Sequence, residues 1–262
     1  MKSNTDKSKP RKSTLLLWTV FIALVLLILT NCLIVPACQN YYVTHFKFKI
    51  YGGMNSELKD SELFEDMKSG KSFCFLGDSI TAGNQNNGVP WYQPLKQYIK
   101  GEITYLSRGG YMVQNLINRA DDIPTSDIYL VAIGINDVLI PTAKYASPSA
   151  VEYINRLDEL AKILKKASPS AKIYFIAPWS FFDQEEHLVI RGEQFRASLI
   201  DWCDKTEYIC INPHPIISSI VNESNKEDFL IDKVHPNSSV GVGLYSYAVL
   251  KADHDRKPSS QQ

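Results

Sequence analysis

Five short apolar runs set the architecture open to this chain. They are Phe73–Leu76, Ile103–Leu106, Ile128–Ile133, Ile173–Ile176 and Tyr208–Ile211, and most are apolar along their whole length. A strand of that kind is buried on both faces, as in a parallel sheet. Helical patterns fill the intervals at Trp91–Ile99 (with Pro90 leading in), Val113–Arg119, Ala150–Lys166, Arg191–Cys203 and Val240–Lys251. The third is the plainest, with Val151, Ile154, Leu157, Leu160, Ala161 and Leu164 on one stripe. Strands alternating with helices need crossover connections. The expectation is a three-layer α/β/α domain on a mostly parallel five-stranded sheet over residues 71–252. Residues 39–70 are expected to be a connector with a short helical pattern at Ser61–Met67, and residues 253–262 a disordered polar tail that includes His254. His214, between Pro213 and Pro215, reads as a loop residue.

The start of the chain has a different character. Lys2, Lys7, Lys9, Arg11 and Lys12 precede a stretch without Lys, Arg, Asp or Glu from Ser13 to Phe46, apolar from Leu15 to about Ala37. Roughly 20 apolar helical residues cross a bilayer, and basic residues stay on the cytoplasmic side. Residues 1–13 are therefore expected to be a short cytoplasmic tail and 14–38 a transmembrane signal anchor, with the domain outside the cytoplasm. A cleaved signal peptide ending near Val35-Pro36-Ala37 and a lipid-modified Cys32 or Cys38 are the competing readings. All of them put the domain on the same side. Cys74 reads as a small buried apolar residue, and spacing alone leaves Cys203 and Cys210 either paired or reduced.

Charge narrows the partners. Lys plus Arg and Asp plus Glu number 28 each, and no basic patch interleaved with aromatics occurs, so nucleic acid is not an expected partner. No Cys/His cluster has zinc spacing, and no glycine-rich loop fits a phosphate or dinucleotide. Neither metal nor cofactor is expected.

The residues that can do chemistry sit at the ends of the apolar runs. Gly77-Asp78-Ser79-Ile80 follows the first, where a hydroxyl would stand at the carboxyl edge of the sheet. A serine attacks only when a base takes its proton and an acid orients that base. Asp232-Lys233-Val234-His235 supplies both within one turn, and Pro236 restricts the backbone at His235. A tetrahedral oxyanion needs donors, and the N–H groups of Ser79 and Gly110 and the Asn136 side chain are placed to serve. Asp78 and Asp137 read as braces of their loops. Trp179, Phe181 and Phe182, after the fourth run, are either a substrate wall suited to a sugar ring or packing for the loop.

Taken together, these blocks resemble the SGNH (GDSL) hydrolase superfamily. The matching residues are Gly77-Asp78-Ser79-Ile80, the Gly110 of Ser107-Arg108-Gly109-Gly110-Tyr111, Gly134-Ile135-Asn136-Asp137, and Asp232-Lys233-Val234-His235-Pro236-Asn237, within about Lys71 to Leu250. Tyr111 replaces a usual small residue, so Gly109 competes with Gly110; the register to the helix at Val113 favours Gly110. The resemblance implies a flavodoxin-like sheet and a serine esterase or acyltransferase. No G-x-S-x-G elbow is present, which separates the chain from ordinary α/β-hydrolases. With the N-terminal segment, the expectation is a membrane-anchored, outward-facing esterase acting on a small acyl group such as acetyl on a cell-surface or exported glycan. An O-acetyltransferase, served by a multi-span acyl-donor partner, and a catalytically idle glycan-binding module are the alternatives.

Overall fold

A computed structural model describes residues 12–35 and 48–256. The chain divides into two units, Met1–Phe46 and Lys47–Gln262. In the first, helix α1 (Lys12–Leu29) runs into a π-turn over Thr30–Ile34. Thr30 and Asn31 turn their side chains back to the carbonyls of Leu26 and Leu27. At 1.5 Å per residue the regular helix spans roughly 27 Å, short of the ~30 Å hydrocarbon core. Among the described residues no helix is long and apolar enough to cross a membrane. This departs from the span expected over 14–38, whose last residues, with Cys38 and the tail before Lys12, lie outside the described residues.

The second unit holds a five-stranded sheet in the order β2-β1-β3-β4-β5. The strands are β1 (Phe73–Gly77), β2 (Ile103–Ser107), β3 (Ile128–Ala132), β4 (Lys172–Ile176) and β5 (Ile209–Ile211), and every neighbouring pair is parallel. Burial follows the two-residue period of a strand. Phe73, Phe75, Ile128, Leu130, Tyr174 and Ile176 face one core. Cys74, Leu76, Tyr129, Val131, Ile173 and Phe175 face the other. Both faces are apolar because each is covered by helices, which is why the strands read as continuous runs.

Two short helices precede β1, α2 (Ser56–Lys59) and α3 (Glu62–Lys68). Their Leu58, Leu63 and Met67 are fully buried in the first core, so the described part of the expected connector belongs to the domain. After β1 come α4 (Ser79–Ala82) and a 3-10 turn at Gln93–Tyr98, where a longer helix was expected. Helices α5 (Val113–Ile117), α6 (Ile135–Leu139), α7 (Ala150–Ala167) and α8 (Glu186–Cys203) follow. Phe195, Leu199 and Cys203 of α8 bury in the second core with Tyr153, Leu157 and Leu164 of α7. Two further helices are α9 (His214–Ile220) and α10 (Lys226–Phe229), so His214 opens a helix and is not a loop residue.

The last helix, α11 (Gly241–Asp255), extends into the stretch expected to be a disordered tail. Asp253 is fully buried and accepts from the Leu63 N–H (2.7 Å) and from Arg256 (2.7 Å), and Arg256 also pairs with Glu62. Leu63 and Glu62 lie far back in the chain, so no local pattern marks this stretch as ordered.

Candidate active site

The strand order reverses between β2-β1 and β3-β4-β5, and ligands of open α/β sheets bind where that reversal occurs. Ser79 follows β1 and Asn136 follows β3, two adjacent strands at the switch point. Tight packing brings them close. A Cβ on Gly77 would stand 2.5 Å from the Ala132 carbonyl and 2.3 Å from the Thr81 hydroxyl, so only glycine lets β1 turn into α4 there. Gly134 has φ +121 and presses on the Tyr153 ring, 2.7 Å from where a Cβ would lie.

Asp78 caps α4 through the Ile80 N–H (3.0 Å), which leaves Ser79 as the first helical residue, 7% exposed. Ser79 Oγ lies 2.8 Å from His235 Nε2, and His235 Nδ1 lies 2.7 Å from Asp232 Oδ2. The other Asp232 oxygen accepts the N–H groups of Val234 and His235, both at 2.8 Å. Burial alone raises the Asp232 carboxyl, but these donors outweigh it and hold it below its ordinary value. Asp232 thus remains an anion facing the imidazole at neutral pH, which fixes Nδ1 as the protonated nitrogen and leaves Nε2 free to accept from Ser79.

The loop that carries His235 is held from several sides. Leu230 and Pro236 form an antiparallel bridge, and Ile231 N–H donates to the His235 carbonyl (2.9 Å). Tyr245 of α11 donates to the Val234 carbonyl and Phe182 N–H to the Lys233 carbonyl, each at 2.9 Å. Asn237 caps the start of α11, its Oδ1 accepting from Val240 and Gly241 N–H at 2.9 Å each.

Asn136 donates its side-chain amide to the Tyr111 carbonyl (2.9 Å), so the structure brings it to the segment just after Gly110. An amide nitrogen carries two N–H groups, and the second can serve another acceptor. Gly110 is exposed, with φ +76 and open space around its missing side chain; the backbone angle is what favours glycine here. Asp137 is fully buried and accepts the Ser147 N–H (2.8 Å), the Ser147 hydroxyl (2.7 Å) and the Val113 N–H (3.3 Å). It braces its loop. Asp78 is likewise fully buried, and burial, with Asp137 nearby, pushes its carboxyl up to about 7.

The aromatic wall is corrected in part. Trp179 is 1% exposed and stacks on Tyr245 with ring centres 4.8 Å apart, so it packs the core and offers no face to a ligand. Phe181 lies against the Arg196 guanidinium (5.6 Å), and Phe182 packs on the first core while tied to Lys233; both are partly exposed. A network that the sequence pattern does not reveal pins this loop. Buried Arg196 donates to the Pro178 carbonyl (3.2 Å), and the Ser180 hydroxyl meets His214 Nδ1 at 2.9 Å. Glu193 lies 3.2 Å from the other His214 nitrogen. Burial and then Arg196 lower the His214 pKa, so this imidazole stays neutral. Ser180 is fully buried.

Ser79, Gly83, Gln85, Asn86, His235 and Pro236 border a small recess at the site. A larger cavity of 470 Å³ lies among Cys203, Tyr208, Cys210, Pro215, Ala252 and Arg256 and contains none of the Ser79, Asp232 and His235 group. Cys203 and Cys210 are both free thiols there, as are Cys32 and Cys74.

A hydroxyl, an imidazole and a carboxylate in a hydrogen-bonded row, at the switch point of a parallel sheet, define a serine hydrolase. The GDSL-like Lipase/Acylhydrolase family matches residues 75–239, and the chain belongs to that family. Solved structures share the fold. A putative GDSL-like lipase from Parabacteroides merdae matches with a TM-score of 0.60 at 21% identity, over 71% of this chain and 97% of that one. A catalytic mutant of an acetylxylan esterase from Geobacillus stearothermophilus gives 0.58 at 18%, over 72% and 96%. An alpha/beta hydrolase from the metagenome of Lake Arreo, Spain, gives 0.57 at 18%, over 72% and 97%. No curated protein sequence matches the chain significantly.

Proposed function

We propose that the chain is an extracytoplasmic esterase that removes a small acyl group, such as acetyl, from a cell-surface or exported glycan. The observation that carries this is the unbroken row from Ser79 Oγ through His235 to Asp232, at 2.8 and 2.7 Å. In this reading Ser79 Oγ attacks the ester carbonyl and its proton passes to His235 Nε2. The oxyanion is received by the N–H groups of Ser79 and Gly110 and by the second Asn136 N–H. His235 then protonates the leaving alcohol, and an acyl-enzyme remains. Water, deprotonated by His235, attacks the acyl-enzyme and releases the acid. Asp232 holds the imidazole and stabilises its charged form.

The recess beside Ser79 is small, which favours a short acyl group over a long one. The acetylxylan esterase among the structural neighbours points the same way, at the level of fold.

Attachment to a membrane is part of the proposal. Leu17, Trp18, Phe21 and Leu24 are all more than half exposed on α1, and basic residues precede them. Such a surface calls for an apolar cover, and lipid fits the charge order. Protease added to intact cells should digest the domain. Full protection would overturn this placement, and release into the medium would mark cleavage of the segment.

The activity is tested with nitrophenyl esters of rising chain length and acetylated polysaccharides, together with a fluorophosphonate probe. Ser79→Ala and His235→Ala should each abolish nearly all turnover, and the probe should label wild type alone. Wild-type turnover in folded Ser79→Ala would overturn the assignment. Acetyl appearing on an added sugar in place of free acetate would identify a transferase.

A further inference from the structure

Asn86 has no part in the reaction scheme above, yet it joins the two segments that supply it. It is 4% exposed and borders the same small space as Ser79 and His235. Its loop is fixed from within. Gly83, Asn87 and Gly88 all lie in the left-handed region, at φ 70, 61 and 76. Asn86 N–H donates to the Gly83 carbonyl (3.1 Å), and Val89 N–H to the Asn86 carbonyl (3.1 Å). A loop so constrained aims the Asn86 side chain in one direction. Its Nδ2 donates to the carbonyl of Pro236, the residue after His235, at 2.9 Å. A carbonyl only accepts, so the nitrogen end of the amide must face it.

The base loop is held at Lys233 by Phe182 and at Val234 by Tyr245. Both partners lie on segments that do not carry the nucleophile. Those bonds set where the loop sits on the domain. The Asn86 bond comes from the loop that follows Ser79 itself, so it sets the separation of nucleophile and base. The hydrogen bond between Ser79 and His235 is made and broken as the proton moves, whereas the Asn86 bond is independent of that transfer.

We propose that Asn86 is a positioning residue that fixes His235 Nε2 at hydrogen-bond distance from Ser79 Oγ by donating to the Pro236 carbonyl. The inference rests on the hydrolase reading. Misplacing reacting groups by about 1 Å can cost around a hundred-fold in rate, so loss of the clamp should lower kcat by roughly ten- to a hundred-fold. KM should stay within about two-fold, because Asn86 Oδ1 is sealed from solvent and Nδ2 is engaged.

The test uses the full chain with Asn86→Ala, Asn86→Asp and Ser79→Ala, nitrophenyl acetate as substrate, and fluorophosphonate labelling rates, with thermal unfolding to confirm folding. Asn86→Ala should slow turnover and labelling in parallel. Asn86→Asp keeps the shape but, once ionised, offers the carbonyl no donor; on acidification it regains an O–H. Its activity relative to wild type should therefore rise as pH falls, while the ratio for Asn86→Ala stays flat. His235 and Asp232 on the base loop and Asp78 beside Ser79 are present in wild type and in both Asn86 variants, and Asn86→Ala shows how the ratio behaves without a new carboxyl. Should Asn86→Ala fail to fold, the pH trend of Asn86→Asp decides. Wild-type turnover in Asn86→Ala at neutral pH, or an Asn86→Asp ratio that does not rise on acidification, would overturn the clamp. Retained turnover in Ser79→Ala would instead overturn the hydrolase reading.

Discussion

Tyr245 of α11 hydrogen-bonds the Val234 carbonyl at 2.9 Å, one residue before His235, while its ring stacks on Trp179. The last helix of the domain therefore reaches the base loop through a buried phenol, and the aromatic core fixes where that phenol stands. Strand β4 leads into Trp179, Trp179 sets Tyr245, and Tyr245 sets the backbone ahead of His235.

Tyr245→Phe isolates the polar part of this chain of contacts. The ring and its stacking survive, and the Val234 carbonyl loses its donor. A neutral hydrogen bond contributes about 1 kcal/mol net. Unfolding stability should fall by about that amount, and kcat by roughly three- to ten-fold with little change in KM. An unchanged kcat in a variant that is measurably less stable would mean the base loop is held without Tyr245.

Asn136 provides a sharper test of transition-state stabilisation. A donor that engages only the developing oxyanion raises turnover without tightening substrate binding. Asn136→Ala should lower kcat by about a hundred-fold or more and leave KM nearly unchanged. It also removes the bond to the Tyr111 carbonyl, so the Gly110 segment is loosened in the same step. Exposed Asn118, whose side chain bonds to Gln114 within its own helical turn, is the matched control, and Asn118→Ala should behave as wild type. Equal kinetics in the two variants would send the search for oxyanion donors to backbone amides alone.

What was legible in the sequence was local. β1, β3 and β4 could be read because burial on both faces leaves an unbroken apolar run, and most of the chemical blocks stand directly after such a run. Ser79 and Asn136 were visible for that reason, and the Asp232–His235 pair by its one-turn spacing. The remainder depends on contacts distant in sequence. Trp179 and Phe182 are neighbours in one aromatic segment after β4, and no local pattern tells which stacks on α11 and which binds Lys233. Asp253 reads as the start of a polar tail until the Leu63 amide is found against it. Asn86 is one polar residue in a run of glycines and asparagines, and its partner Pro236 lies at the other end of the domain. His214 between two prolines has the look of a loop, but Pro213 and Pro215 stand where a helix start tolerates proline.

Asp78 should leave a mark on the pH dependence of stability. Its carboxyl is fully buried, one oxygen caps α4 and the other has no partner, and burial raises it from an ordinary 3.8 to about 7. A carboxyl raised in this way holds its proton more tightly in the folded chain than in the unfolded one. Its contribution is thus most favourable below 3.8 and is lost as pH rises toward and through about 7. Asp78→Asn keeps an acceptor for the Ile80 N–H and cannot ionise. Between pH 4 and pH 8 the variant should gain on wild type by on the order of a few kcal/mol, since each tenfold difference in proton affinity between the folded and unfolded chain is worth about 1.4 kcal/mol. A smaller slope of the same sign should remain from Asp137, which burial also raises and Ser147 partly restores. Urea unfolding of both proteins across this range measures the difference directly. If the two stability curves run parallel from pH 4 to pH 8, the Asp78 carboxyl is not the group that titrates on unfolding, and the unpartnered oxygen must be satisfied in solution by a donor such as a bound water.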